Sequence, residues 1–138
     1  MEIEHIGHQG VLDLFSAFPE YEPYVWEHRS DDSSPLLYGR KLVVQGEVAA
    51  FLWASQRMEG SKSHYIWICG TVPTYRKRGL MDLLMQDYLA WVRRECPQLE
   101  YVWIKTTPNT FFYQYLEKIG FVYKNQSFGN FVSLRLTV

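Results

Sequence analysis

Val72-Pro73-Thr74-Tyr75-Arg76-Lys77-Arg78-Gly79-Leu80-Met81 marks the point where a strand ends and a helix begins. Pro73 has no N–H to give to a sheet ladder, so the apolar run His64 to Val72 reads as a strand that stops there. From Gly79 the period changes: Leu80, Leu84, Tyr88 and Trp91 are spaced four, four and three apart and share one helical face. Three consecutive cations and a glycine lie between the two elements. The first amides of a helix lack internal acceptors and sit at the positive end of its dipole, which suits a phosphate group. Gly79 permits close backbone approach to a ligand, and Arg76, Lys77 and Arg78 add charge at the same point. A solvated turn before an amphipathic helix has the same composition, and on charge and one glycine alone the two readings weigh equally.

Downstream, the helix stops at Pro97, and Leu99 to Lys105 reads as a further strand. Thr107 is a candidate N-cap with Pro108 as first helical residue, giving a helix to about Ile119 that Gly120 closes. Two apolar runs follow, Phe121 to Tyr123 and Phe131 to Val138. Upstream, Val11 to Phe18 and Tyr21 to Arg29 read as short helices, and Ser30 to Pro35 as a loop. Leu36 to Val44 and Val48 to Ser55 read as an antiparallel pair joined across Gln45-Gly46-Glu47. The expected architecture is one α/β (α+β) domain over 1–138, a mixed sheet of six to seven strands flanked by about four helices.

At 138 residues the chain is long enough to bury a proper core, and with 47% hydrophobic and 17% aromatic residues it is too apolar for disorder. A formal net charge of -1 supplies no global field for nucleic acid or anionic membrane, so neither is expected as a partner. The polar N-terminus lacks the form of a signal peptide, and no apolar run reaches the ~20 residues of a membrane span. Cys69 and Cys96 make no disulfide framework and no zinc spacing, so no metal is expected and a reducing, cytoplasmic location is the simplest reading.

The stretch Arg76-Lys77-Arg78-Gly79-Leu80-Met81, with Val72 to Thr74 before it and Leu83-Leu84 after it, resembles the cofactor-binding signature of the GNAT (Gcn5-related N-acetyltransferase) superfamily. A second block, Asn109 to Gly120-Phe121 with Glu117-Lys118 between, is similar to the family's downstream pattern without a gap. Together the blocks cover Tyr65 to Phe121. The resemblance implies acetyl-CoA as co-substrate, held between two parallel strands that splay apart, here His64 to Val72 and Leu99 to Lys105. Cofactor contacts are then expected from Gly70, Thr71, Val72, Arg76, Lys77, Arg78, Gly79, Leu80, Met81, Asn109 and Phe112. Amides near Gly70 to Val72 are expected to face the thioester carbonyl.

Two positions depart from the family pattern. Met81 stands where the family prefers a small residue, and Leu116 stands where it usually places the tyrosine that protonates the leaving thiolate. Tyr113, one turn earlier, is the better substitute, with Tyr115 the alternative. The attacking amine must be neutral; His64 and Tyr65 are candidate bases, with Glu47 and Cys69 behind them. The acceptor is expected against the N-terminal segment, at Tyr24, Trp26 and Glu27, where aromatics beside carboxylates suit a cationic amine. The implied activity is transfer of acetyl to an amino group of a small molecule, peptide or protein by a monomer or homodimer. Leu116 and Met81 equally suit a GNAT-fold protein that binds acyl-CoA without turnover.

Overall fold

The computed structural model describes residues 1–17, 30–57, 60–127 and 129–138, the side chain of residue 15 excepted. Their elements run β1 (Glu2–His5), α1 (His8–Ala17), β2 (Tyr38–Val44), β3 (Glu47–Ser55), β4 (Ser63–Thr71), a 3-10 turn (Pro73–Tyr75), α2 (Leu80–Glu95), β5 (Tyr101–Thr106), α3 (Phe111–Lys118), β6 (Val122–Gln126) and β7 (Val132–Thr137). All seven strands form one mixed sheet in the order β1-β2-β3-β4-β5-β7-β6, so the α/β reading with six to seven strands holds. The helix expected over Tyr21 to Arg29 lies outside the described residues.

The hairpin between β2 and β3 turns at Gln45 and Gly46, both with positive φ (51° and 80°), as a two-residue type I′ turn requires. β4 and β5 are the parallel pair, in register from Ser63↔Tyr101 to Ile66↔Ile104. Beyond Ile66, β4 stays with β3 alone, while β5 continues beside β7 to Thr106↔Val132. The parting has a local cause. Ile66 faces Ala54 and Ile68 faces Trp53, which leaves Trp67 as an extra residue in β4. A bulge bends and twists its strand, and this one falls one residue after the last β4–β5 pair.

The helices bury the faces their periodicity indicates. α2 packs Leu80, Leu84, Met85, Tyr88, Leu89 and Val92 into the main core, against Leu42, Leu52, Ile66, Val102 and Ile104. Each such side chain contributes about 1.5 to 3 kcal/mol of burial. α3 adds Leu116 to the same face, and α1 packs Val11 with Ile6, Phe51 and Trp53 on the other.

Among the differences from expectation are an added strand and a later start of one helix. β1 is an added edge strand whose four side chains are all exposed, so Glu-Ile-Glu-His carries no burial pattern to announce it. α3 begins at Phe111, not Pro108. Asn109 takes a left-handed φ of 62°, which a helix cannot continue, and Thr110 becomes the N-cap. Its hydroxyl accepts from the Tyr113 amide at 3.1 Å and is placed to donate to the Thr107 carbonyl at 3.1 Å.

Candidate functional site

Where β4 and β5 part, a cavity of about 820 Å³ opens on the face that carries α2 and α3. Its walls are the end of β4 (Cys69, Gly70, Thr71), the loop Tyr75 to Lys77, the first turn of α2 (Gly79 to Asp82), and Phe111, Phe112 and Tyr115 of α3. Of the residues expected to hold cofactor, Gly70, Thr71, Arg76, Lys77, Gly79, Leu80, Met81 and Phe112 meet here. Val72, Arg78 and Asn109 do not line it. Val72 is buried, the Arg78 guanidinium lies 5.4 Å from the Tyr75 ring centroid, and Asn109 shapes the turn before α3.

The strand end presents only some of its amides to the gap. The Val72 amide donates to the Ala49 carbonyl at 2.8 Å. Bonded and non-bonded pairs alternate in an antiparallel ladder, so Gly70 is bonded to its partner Phe51, whereas the N–H and C=O of Cys69 and Thr71 turn away from β3. Of the amides expected near Gly70 to Val72 to face the thioester carbonyl, that of Thr71 turns away from β3, as does that of the preceding Cys69, while those of Gly70 and Val72 do not. The Thr71 carbonyl accepts from Arg76 Nε at 3.1 Å, tying the first cation of the loop to the strand.

The loop itself is braced. Tyr75 donates its hydroxyl to the Glu47 carboxylate, which raises the Tyr75 pKa, so Glu47 serves the loop and not the cavity as a base. Lys77 (φ 65°) and Gly79 (φ 71°) are both left-handed. For a lysine that conformation is a strain of about 1 kcal/mol or more, of the kind found in ligand-binding loops. Gly79 is the residue before α2, which leaves the first-turn amides of Leu80, Met81 and Asp82 with no acceptor inside the helix.

His64 lies elsewhere. It is fully buried at the start of β4, with Nε2 2.7 Å from the Leu36 carbonyl and Nδ1 2.6 Å from the Tyr88 hydroxyl. A carbonyl can only accept, so Nε2 carries the proton and Nδ1 accepts from Tyr88. Burial pushes the imidazole down to about 4, partly opposed by the Leu36 carbonyl. These contacts engage both ring nitrogens of this candidate base, and His64 does not line the cavity. Burial pushes the Cys69 thiol up to about 12, so it is not poised as a base; Tyr65 is buried, with the Arg57 guanidinium carbon 5.3 Å from its ring centroid, and does not line the cavity.

Of the two tyrosines expected as acid candidates, both pack against the core, but Tyr115 lines the cavity and Tyr113 does not. The preference for Tyr113 is therefore reversed on position. Tyr115 donates its hydroxyl to Asp82 Oδ1 at 2.8 Å, and its pKa is raised, first by burial and then by that bond. Leu116 is fully buried in the core. Tyr75, Asp82 and Phe111 were not expected from sequence; Tyr75 and Asp82 sit in or beside the quoted loop, while 88% exposed Phe111 gave no signal. Tyr24, Trp26 and Glu27 lie outside the described residues.

Among the described residues no helix is long and apolar enough to cross a membrane, and no group of three metal-binding side chains converges. The fold matches many solved structures. The ribosomal-protein-S18-alanine N-acetyltransferase of Escherichia coli superposes with TM-score 0.76 at 12% identity, over 99% of this chain and 93% of that one. A GNAT-family acetyltransferase of Streptococcus pneumoniae gives 0.72 at 14%, over 99% of each chain. The PaiA N-acetyltransferase of Thermoplasma acidophilum, solved with coenzyme A, gives 0.72 at 8%, over 99% and 98%. At these identities the likeness shows the fold alone, and no curated protein matches the chain. The acetyltransferase (GNAT) family itself matches residues 8–121, and the chain belongs to that family.

Proposed function

We propose that the chain is a single, cytoplasmic acyltransferase domain, monomeric or homodimeric, that moves acetyl from acetyl-CoA to an amino group by direct attack. The observation that carries this reading is the cavity running from the parted strands to the left-handed loop before α2. In it the diphosphate lies on the first-turn amides of α2 with Arg76 and Lys77 beside it, and the thin pantetheine arm runs along Cys69 to Thr71 opposite Phe112. The amine nitrogen attacks the thioester carbon, and the Cys69 N–H, turned toward the gap, stabilises the developing oxyanion by about 3 to 4 kcal/mol if well aimed. Collapse breaks the carbon–sulfur bond; the amine proton leaves to water, and the thiolate takes a proton from Tyr115 or from water.

A melt with and without acetyl-CoA tests the binding step. Ligand at about a hundred times its dissociation constant adds about 2.7 kcal/mol to stability, a plainly raised midpoint. Gly79→Glu abolishes the shift, whereas Gly46→Glu, equally left-handed but in the β2–β3 turn, keeps it. An unshifted wild-type midpoint refutes the reading. One observation favours a second reading, an acyl-CoA-binding protein with little turnover. Leu116 cannot donate a proton, and the proton of Tyr115 is held by Asp82. Measurable acetyl-CoA binding with no thiol release across a broad amine panel selects it.

A further inference from the structure

On the sheet face opposite the cavity, cross-strand register aligns Ser55, Tyr65, Trp103 and Arg135 in one row. Directly opposed residues share a face, and the neighbouring Trp67 lies there too, with its ring centroid 4.7 Å from that of Tyr65. Arg57 sits over this floor, its guanidinium carbon 5.3 Å from the Tyr65 and Trp103 centroids and 5.7 Å from that of Trp67. Lys105 lies 5.7 Å from Trp103. Residues 51–57, 63–71, 101–106 and 132–137 contain no aspartate or glutamate, and Arg57, Lys105 and Arg135 stand together on this one face.

Ring faces attract a guanidinium by its charge but satisfy none of its five N–H donors. Arg57 is half-buried, and no described residue accepts a hydrogen bond from it. A half-buried fork of donors over an aromatic floor, on strands that carry no carboxylate of their own, is matched by a planar anion. Trp67 and Lys105 are also the first residues past the last β4–β5 pair, so the floor borders the parting of the strands on the face opposite the cavity.

We propose that this face binds the acceptor, and that the acceptor is a small amine carrying a carboxylate and an apolar or aromatic body. The carboxylate pairs with Arg57, the body lies on Trp67 and Trp103, and the amine reaches the gap. The assignment of the anion to the acceptor rests on the transferase reading; the anion site itself does not. It differs from the expectation of an acceptor site at Tyr24, Trp26 and Glu27, which lie outside the described residues.

Two measurements separate these claims. Intrinsic tryptophan fluorescence is titrated with 3-phenylpropanoate and with neutral 3-phenylpropanamide, without acetyl-CoA. The carboxylate is expected to bind at least about tenfold more tightly, the preference to vanish in Arg57→Gln, and Arg57→Lys to keep part of it. Equal binding of the two probes, no binding of either, or a preference that survives in Arg57→Gln overturns the proposal. Thiol release is then followed with phenylalanine and with phenethylamine. Faster release with phenylalanine, lost in Arg57→Gln, supports the acceptor assignment. Release from phenethylamine alone, unchanged in Arg57→Gln, sinks the assignment and leaves the transferase standing. Carboxylate binding with no release from any amine keeps the anion site and removes the transferase reading.

Discussion

Lowering the pH should unfold this protein through one residue above all, His64. Its pKa is about 4 in the fold, against 6.5 for an ordinary histidine, because the ring is buried and both nitrogens are engaged as a neutral tautomer. Between those values the unfolded chain binds a proton that the native state refuses, so stability is fully present above about pH 6.5 and falls as pH drops toward 4. At about pH 5 the linkage comes to about 2 kcal/mol, and the full penalty below pH 4 to about 3 kcal/mol. Urea denaturation across this range measures it, and His64→Gln is the reference. The variant loses stability at every pH because the amide cannot reproduce the imidazole's geometry between Leu36 and Tyr88. Its stability should nevertheless fall less steeply below about pH 6.5, by the same ~2 kcal/mol at pH 5, since other groups titrate in both proteins. Parallel curves for the two proteins would show that His64 is not held neutral, and would refute the argument.

Lys77→Gly removes the left-handed strain and one cation together: the midpoint of thermal unfolding should rise, by up to about 1 kcal/mol of stability, while the shift produced by acetyl-CoA shrinks. Asp82→Asn withdraws a carboxylate from the cavity wall, so acetyl-CoA should bind several-fold more tightly at low salt. The same change costs the first turn of α2 about 0.5 kcal/mol of dipole stabilisation, visible in a urea titration. If Tyr115 donates the proton, Tyr115→Phe lowers kcat on the order of a hundredfold and Tyr113→Phe leaves it unchanged; the reverse result reinstates Tyr113. Leu84→Ala, at a fully buried position of α2, should cost about 2 to 5 kcal/mol by calorimetry.

The elements that set up the cavity are legible because they depend on local rules. Pro73 ends β4, the spacing of Leu80, Leu84 and Tyr88 calls for α2, and the hairpin follows from a turn that needs positive φ at Gln45 and Gly46. The cationic loop is legible for the same reason. What escapes is what register decides. Whether the Gly70 amide faces β3 or the gap turns on one extra residue in β4, and no side chain announces it. His64 looks like an edge histidine until the connection before β2 brings the Leu36 carbonyl to it and α2 brings Tyr88. Choosing Tyr115 over Tyr113 needs the rotation of α3 about its axis, which is set by Leu116 entering the core and is not written in the motif.

The bulge at Trp67 makes the opening of the sheet a matter of counting and not of composition. Before it, β4 is shared by neighbours on both sides; after it, β4 keeps company with β3 only, and the space thereby vacated is roomy enough for a pantetheine-sized arm. Excising that single residue would invite β4 and β5 to zip onward, sealing the crevice even with every lining side chain in place. Substitutions at position 67 that keep the residue count should leave it ajar.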